Sequence, residues 1–116
     1  MNKSIKMAIH EVNTKVIPKI PIKKYKVIPI YRKTDYLGYY VNESVFDIMP
    51  IIKLNITQIK ISDFEYPNIG LYQIILSTIL HELGHALQEL NNKWCDEDEA
   101  EDFAYQYCKL GIIKRI

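Results

Sequence analysis

His81, Glu82 and His85 stand in the pentapeptide His81-Glu82-Leu83-Gly84-His85, an HExxH pattern inside a long apolar segment. Residues four apart on an α-helix lie one above the other, so both imidazoles leave one face and can grip a single metal ion. A glutamate beside the first histidine then reaches a water held by that ion and serves as its general base. The chemistry implied is zinc-dependent hydrolysis, with His81 and His85 as ligands and Glu82 as the catalytic residue. The plain alternative is two unrelated histidines that flank a glutamate. Such a pentapeptide arises by chance in roughly a few chains per thousand of this size.

The surrounding residues favour a helix. No proline occurs from Leu71 to Leu90, and Leu71, Tyr72, Ile75, Leu76, Ile79, Leu83, Ala86, Leu87 and Leu90 recur at spacings of three and four. These form a broad buried stripe. Thr78, His81, Glu82, His85 and Glu89 fall on another face, which can open onto a cleft while the helix back packs on the core. Gly84 costs about 1 kcal/mol relative to alanine in a helix interior, so its place between the histidines predicts close approach by another element.

A catalytic zinc takes three protein ligands and leaves one position open. Asn91-Asn92 is a helix stop, because asparagine tolerates the left-handed conformation. After Lys93, Trp94 and Cys95 comes an acidic run, Asp96 to Asp102, most of which suits the positive end of a second helix. Ala100, Ala104 and Cys108 make a narrow stripe fit for close helix packing, and Glu97 lies on that stripe. Glu97 is therefore the first candidate for the third ligand. Glu99, turned toward Phe103, is the second. Glu101 lies on the side of Glu97, placed to accept a hydrogen bond from a ligand histidine's other ring nitrogen. His10, the one remaining histidine, reads as an exposed position on an N-terminal helix.

His81-Glu82-x-x-His85 followed by Glu97-x-x-Ala100-Glu101 resembles the gluzincin pattern HExxH…ExxA[D/E], whose glutamate is the third zinc ligand. The likeness covers roughly Gly70 to Ala104. The short chain is most similar to the minigluzincins, soluble minimal relatives of the catalytic domains of membrane CAAX-type and heat-shock metallopeptidases. Phe103-Ala104 also looks like ImmA/IrrE-type regulatory peptidases. The resemblance implies a zincin-like fold, Zn²⁺ on His81, His85 and Glu97, and Glu82 as general base. It also implies a C-terminal segment, about 105–116, that blocks the cleft of a latent zymogen or of a homodimer partner. Glu101 stands where aspartate is commonest in the family. Gluzincins usually add a Tyr or His donor for the oxyanion, and nine tyrosines leave that residue open here.

Length and composition fit one domain over residues 1–116, with a small core. A net charge of +1 gives no electrostatic case for nucleic-acid or membrane partners. Lysines and Arg32 crowd the first third of the chain, a pattern that reads as a solvated basic surface. The expected partner is a peptide or protein substrate. The N-terminal apolar residues are interleaved with Lys3, Lys6 and His10, unlike a signal peptide, and Ile74 to Leu80 is too short to span a bilayer. Cys95 and Cys108 flank a helix that holds them roughly 20 Å apart. A disulfide needs Cα atoms within about 7 Å, so both thiols are expected free and the setting cytoplasmic.

The remaining elements follow from the same patterns. Ile5, Ala8, Ile9, Val12 and Val16 mark a first helix that Pro18 stops. Lys24 to Arg32 reads as a strand that Pro29 confines to an edge or bulge. Asp35 to Gly38 reads as a turn into a second strand, Tyr39 to Val41, and Ser44 to Ile56 supplies a third. Thr57 to Asn68 reads as a passage from strand to loop. The predicted fold is α+β: an N-terminal helix, a small mostly antiparallel sheet, the HExxH helix and a glutamate helix. Ile51 to Ile56 is the candidate cleft edge that receives an extended substrate. A non-catalytic zinc module is the competing function, though it has no use for Glu82.

Overall fold

The apolar residues from Leu71 to Leu90 recur too closely for one stripe to hold them, and the helix they form is buried on most sides. A computed structural model of the chain describes residues 2–42 and 49–108. In chain order it places α1 (Asn2–Lys15), β1 (Lys26–Ile30), β2 (Gly38–Asn42), β3 (Pro50–Asn55), α2 (Ile56–Glu65), α3 (Leu71–Leu90) and α4 (Glu97–Cys108), with a 3-10 turn at Ile17–Lys19. This is an α+β architecture. Helix α3 packs against α1, α2, α4, β2 and β3 and is the axis of the molecule. Ile75, Ile79, Leu80, Leu83 and Ala86 have no exposed surface, whereas Leu90 of the expected stripe is exposed.

The first helix forms as its pattern predicts. Ala8 and Val12 are buried against the core, and His10 is exposed. Pro18 lies in the 3-10 turn that follows, where a missing N–H does no harm.

The sheet is mixed, and this corrects the expectation of a mostly antiparallel one. Its order is β1-β3-β2, with β3 parallel to β1 and antiparallel to β2. Three consecutive strands that reverse direction run up, down and up. Inserting the third between the first two then forces one parallel and one antiparallel pairing. β3 takes the centre because Pro50, Ile51, Ile52, Leu54 and Asn55 are all buried. β1 lies outside, as Pro29 requires. The central place of β3 also overturns Ile51 to Ile56 as the cleft edge, since both sides of that backbone are already paired.

Residues 57–68 bring a second correction. Ile59, Ile61 and Phe64 alternate with polar residues as in a strand, yet the segment is helix α2. Ile56 and Ile59, three apart, are buried, while Ile61 is exposed and Phe64 is 87% exposed. A helical repeat that buries two isoleucines on the core wins over an alternating one that would pair with nothing. Residues 43–48 and 109–116 lie outside the described residues, and with them most of the candidate inhibitory and dimer-forming segment.

The connection between β1 and β2 is held by one buried side chain. Asn55 has no exposed surface. Its Oδ1 accepts from the Arg32 backbone N–H (3.2 Å), and its Nδ2 donates to Thr34 Oγ1 (2.8 Å) and to the Tyr36 carbonyl (3.0 Å). The Asn55 N–H adds a bond to the Leu37 carbonyl at 2.9 Å. A loop that would otherwise be loose thus becomes a fixed wall. Replacing Asn55 with Leu leaves these loop groups unsatisfied and should cost about 2–3 kcal/mol in urea unfolding. An Asn55→Leu protein as stable as the parent would show that the loop is held by other contacts.

Candidate metal centre

The carboxyl-terminal half of α3 carries the two histidines, and a cap fixes where it ends. Asn92 adopts a positive φ of 57°. Its N–H donates to the Glu89 carbonyl (3.0 Å) while the Lys93 N–H donates to the Gln88 carbonyl (2.8 Å). This is a Schellman stop with asparagine in the left-handed place. Asp96 then opens α4: its Oδ1 accepts from the N–H groups of Asp98 (3.0 Å) and Glu99 (3.2 Å). Such a cap contributes about 1 kcal/mol, and it places Glu97 at the first position of the helix.

Helix α4 returns along α3 at very short range. A Cβ on Gly84 would lie 3.0 Å from Ala100 Cα and 3.2 Å from its carbonyl oxygen. Glycine at 84 and alanine at 100 therefore let the two backbones touch, the close approach predicted from the glycine. Ala100 and Ala104 are buried in this contact.

The approach brings Glu97 over the histidines. His81 Nε2 lies 3.1 Å from His85 Nε2 and 2.8 Å from Glu97 Oε2, and His85 Nε2 lies 3.0 Å from Glu97 Oε1. Among the described residues these three form the one group of metal-ligating type. Glu101 accepts from His81 Nδ1, the role predicted for it. Glu99 points elsewhere, toward Lys93 Nζ at 3.5 Å, and is not part of the group. Among the described residues neither Cys95 nor Cys108 forms a disulfide. Cys95 Sγ lies 3.6 Å from His85 Nδ1 and 4.0 Å from Glu97 Oε1.

The donor set fits a transition-metal cation. Both Nδ1 atoms face oxygen acceptors, Glu101 Oε1 and Gln88 Oε1, which places the ring hydrogens there and leaves both Nε2 lone pairs directed inward. Two nitrogen lone pairs and a carboxylate that meet at one point need a proton or a cation between them. Tetrahedral ligands on zinc are about 3.3 Å apart, near the spacings found here. Imidazole nitrogens with one carboxylate suit zinc or its neighbours, not calcium or magnesium.

The group opens onto a cleft of about 670 Å³, bounded by residues 35–40 on one side and by α3 and the start of α4 on the other. Glu82 lines this cleft yet is only 7% exposed. Burial, with the nearby Glu97 and Glu101 charges, pushes its carboxyl up to about 7 against the opposing pull of His81. Burial alone would lower the His81 imidazole. The Glu101 hydrogen bond and the charges of Glu82, Glu101 and Glu97 outweigh burial and hold it above its ordinary value. Tyr40 reaches across from β2, donating to the His85 carbonyl (3.3 Å) and to Glu89 Oε2. Burial and the bond to Glu89 raise its hydroxyl far above the usual tyrosine value. β2 approaches α3 this closely because residue 38 is glycine: a Cβ there would lie 2.8 Å from both the Lys53 carbonyl oxygen and Thr78 Cγ2.

Two site neighbours escaped sequence reasoning. Tyr40 was one of nine tyrosines with nothing to single it out. Gln88 is a neutral residue on a helix, and only its place three residues after His85 marked it. Comparison of the chain with protein-family models, curated proteins and solved structures finds no match.

Gly84→Val should drive a side chain into Ala100 and destabilise the fold by about 1–3 kcal/mol. Pairing it with Ala100→Gly should recover part of that loss. A thermal-unfolding cycle separates this contact from helix propensity, and zero coupling between the two sites would count against the close packing.

Proposed function

We propose that the chain is a zinc-dependent peptidase of the HExxH-plus-glutamate kind, acting on peptide or protein substrates. The observation that carries this reading is the meeting of His81 Nε2 and His85 Nε2, 3.1 Å apart, with the Glu97 carboxylate, whose Oε2 lies 2.8 Å from the first and Oε1 3.0 Å from the second, on the wall of an open cleft lined also by Glu82. His81, His85 and Glu97 would hold the ion. Zinc so bound supplies Lewis acidity, lowering the pKa of a coordinated water toward about 7 and polarising a carbonyl.

The chain's own groups account for the rest. Among the described residues no hydrogen bond or ion pair engages the Glu82 carboxylate, which leaves its oxygens available to a water. As general base, Glu82 would take a proton from an attacking water and deliver it to the departing amine. Glu101 and Gln88 hold the imidazoles so that both Nε2 atoms face inward. β2 is an outer strand that lines the cleft, and β3 is its one strand partner among the described residues. An extended substrate can add to its outer edge by main-chain hydrogen bonds. This assigns to Gly38–Asn42 the role first expected of Ile51 to Ile56.

No helix among the described residues is long and apolar enough to cross a membrane. A non-catalytic zinc module would share the three ligands but gains nothing from a buried carboxylate beside them. Metal analysis and cleavage of an unfolded protein substrate decide between the two. The parent chain should bind one zinc and cleave, with activity lost to a chelator and restored by zinc. Glu82→Gln should keep the zinc and lose about 100- to 10,000-fold in kcat. Glu97→Ala should weaken zinc binding by at least about 10–100-fold, the loss typical of groups that merely support a ligand. Undiminished turnover in Glu82→Gln would remove the assigned base. Zinc uptake without cleavage would favour the module.

A further inference from the structure

Gln88 is only 3% exposed, and no metal-ligand reading needs it. Its amide nevertheless meets three groups. Oε1 lies 2.9 Å from His85 Nδ1 and 3.2 Å from the Asp96 backbone nitrogen, and Nε2 lies 2.8 Å from the Asp96 carbonyl oxygen. Two of these partners have fixed polarity, since a backbone N–H only donates and a carbonyl only accepts. An amide turned end for end would set its NH₂ against an N–H and its oxygen against a carbonyl. The Asp96 peptide therefore dictates which end of Gln88 faces His85.

That end is the oxygen, which only accepts. A neutral His85 ring then carries its hydrogen on Nδ1 and keeps the lone pair on Nε2, the atom 3.0 Å from Glu97 Oε1. The Cys95 thiol, 3.6 Å from the same Nδ1, is a weak partner and yields to the amide. Asp96 is also the cap of α4 and immediately precedes Glu97. One side chain thus holds both the second histidine and the start of the helix that brings the carboxylate.

We propose that Gln88 is a positioning residue: it reads the polarity of the Asp96 peptide and, by it, locks His85 in the tautomer that presents Nε2 to the metal. Closing the α3–α4 connection and readying the second ligand are then one event. This role rests on the metal-centre reading, but the lock itself belongs to the metal-free protein. His81 is held differently, by the carboxylate of Glu101 on the other helix.

The test uses the full metal-free chain with ¹⁵N-labelled histidine at a pH of about 8.5, above the ordinary imidazole range. Ring nitrogen shifts report the tautomer directly. Wild-type His85 should be hydrogenated on Nδ1; a predominantly Nε2-hydrogenated ring would overturn the proposal without any variant. Gln88→Leu removes all three bonds and should give mixed tautomers and zinc affinity about 10–100-fold lower. Gln88→Glu keeps an acceptor toward His85 while opposing the Asp96 carbonyl. It should retain the Nδ1 hydrogen and bind zinc more tightly than Gln88→Leu. A folded Gln88→Leu protein with unchanged tautomer and unchanged zinc affinity would reduce Gln88 to packing. So would a Gln88→Glu protein whose His85 hydrogen moves to Nε2. If wild type takes up no zinc while His85 keeps its Nδ1 hydrogen, the metal-centre reading fails and the lock stands.

Discussion

The distance between α3 and α4 is the constraint on which the rest depends. Two helices approach until their side chains touch, usually with axes 8–10 Å apart. Here Gly84 presents no side chain and Ala100 presents one methyl, so backbone meets backbone. Glu97 lies three residues before Ala100 and Glu101 one after it. That places one carboxylate at the inward Nε2 atoms and the other at His81 Nδ1. Larger side chains at 84 or 100 would lift both carboxylates together. The helix-breaking cost of Gly84 is thereby offset by what its absence of a side chain brings within reach.

Close packing concentrates charge that the bare chain disfavours. Glu82, Glu97 and Glu101 surround two imidazoles at the edge of a largely apolar interior, and the buried Glu82 responds by holding its proton up to about pH 7. Burial is the main cause of that rise, and the charges of Glu97 and Glu101 add to it. A cation held by the imidazoles and Glu97 would relieve that conflict, because a bound ion becomes the largest local charge in such a site. Metal binding at this site would then be coupled to folding, since most of the unfavourable proximity exists only in the folded chain.

The sheet serves the site from the opposite side. β3 fills the centre and is buried, which leaves β2 outside it and along the cleft. Asn55, at the end of β3, holds the loop that leads into β2, and Tyr40 on β2 bonds back to α3 beside His85. The cleft wall formed by β2 and the histidine-bearing helix α3 are therefore fixed to one another by hydrogen bonds, with aliphatic packing beneath them.

How much of this was legible in the sequence depends on the range of the interaction. His81 and His85 share a face because an α-helix repeats every 3.6 residues, and Asn92 stops that helix because asparagine tolerates a positive φ. The small-residue stripe and Gly84 signalled a close neighbour. Glu97 and Glu101 then followed by counting along α4, while Glu99 points to Lys93 instead. These are local rules, and local rules can be read from one strand of text. Tertiary packing decided the rest. Ile59 and Ile61 satisfy a strand as well as a helix until the core selects which of them is buried. The insertion of β3 between β1 and β2, with its parallel pairing, follows from competition for the sheet centre among segments far apart in the chain. Gln88 mattered only once the chain turned back and set the Asp96 peptide against its amide. The sequence by itself marked His81, His85, Glu97 and Glu82 as the candidate residues of a metal centre. Only the folded chain decided what orients them, because a hydrogen bond between distant segments leaves no periodic mark.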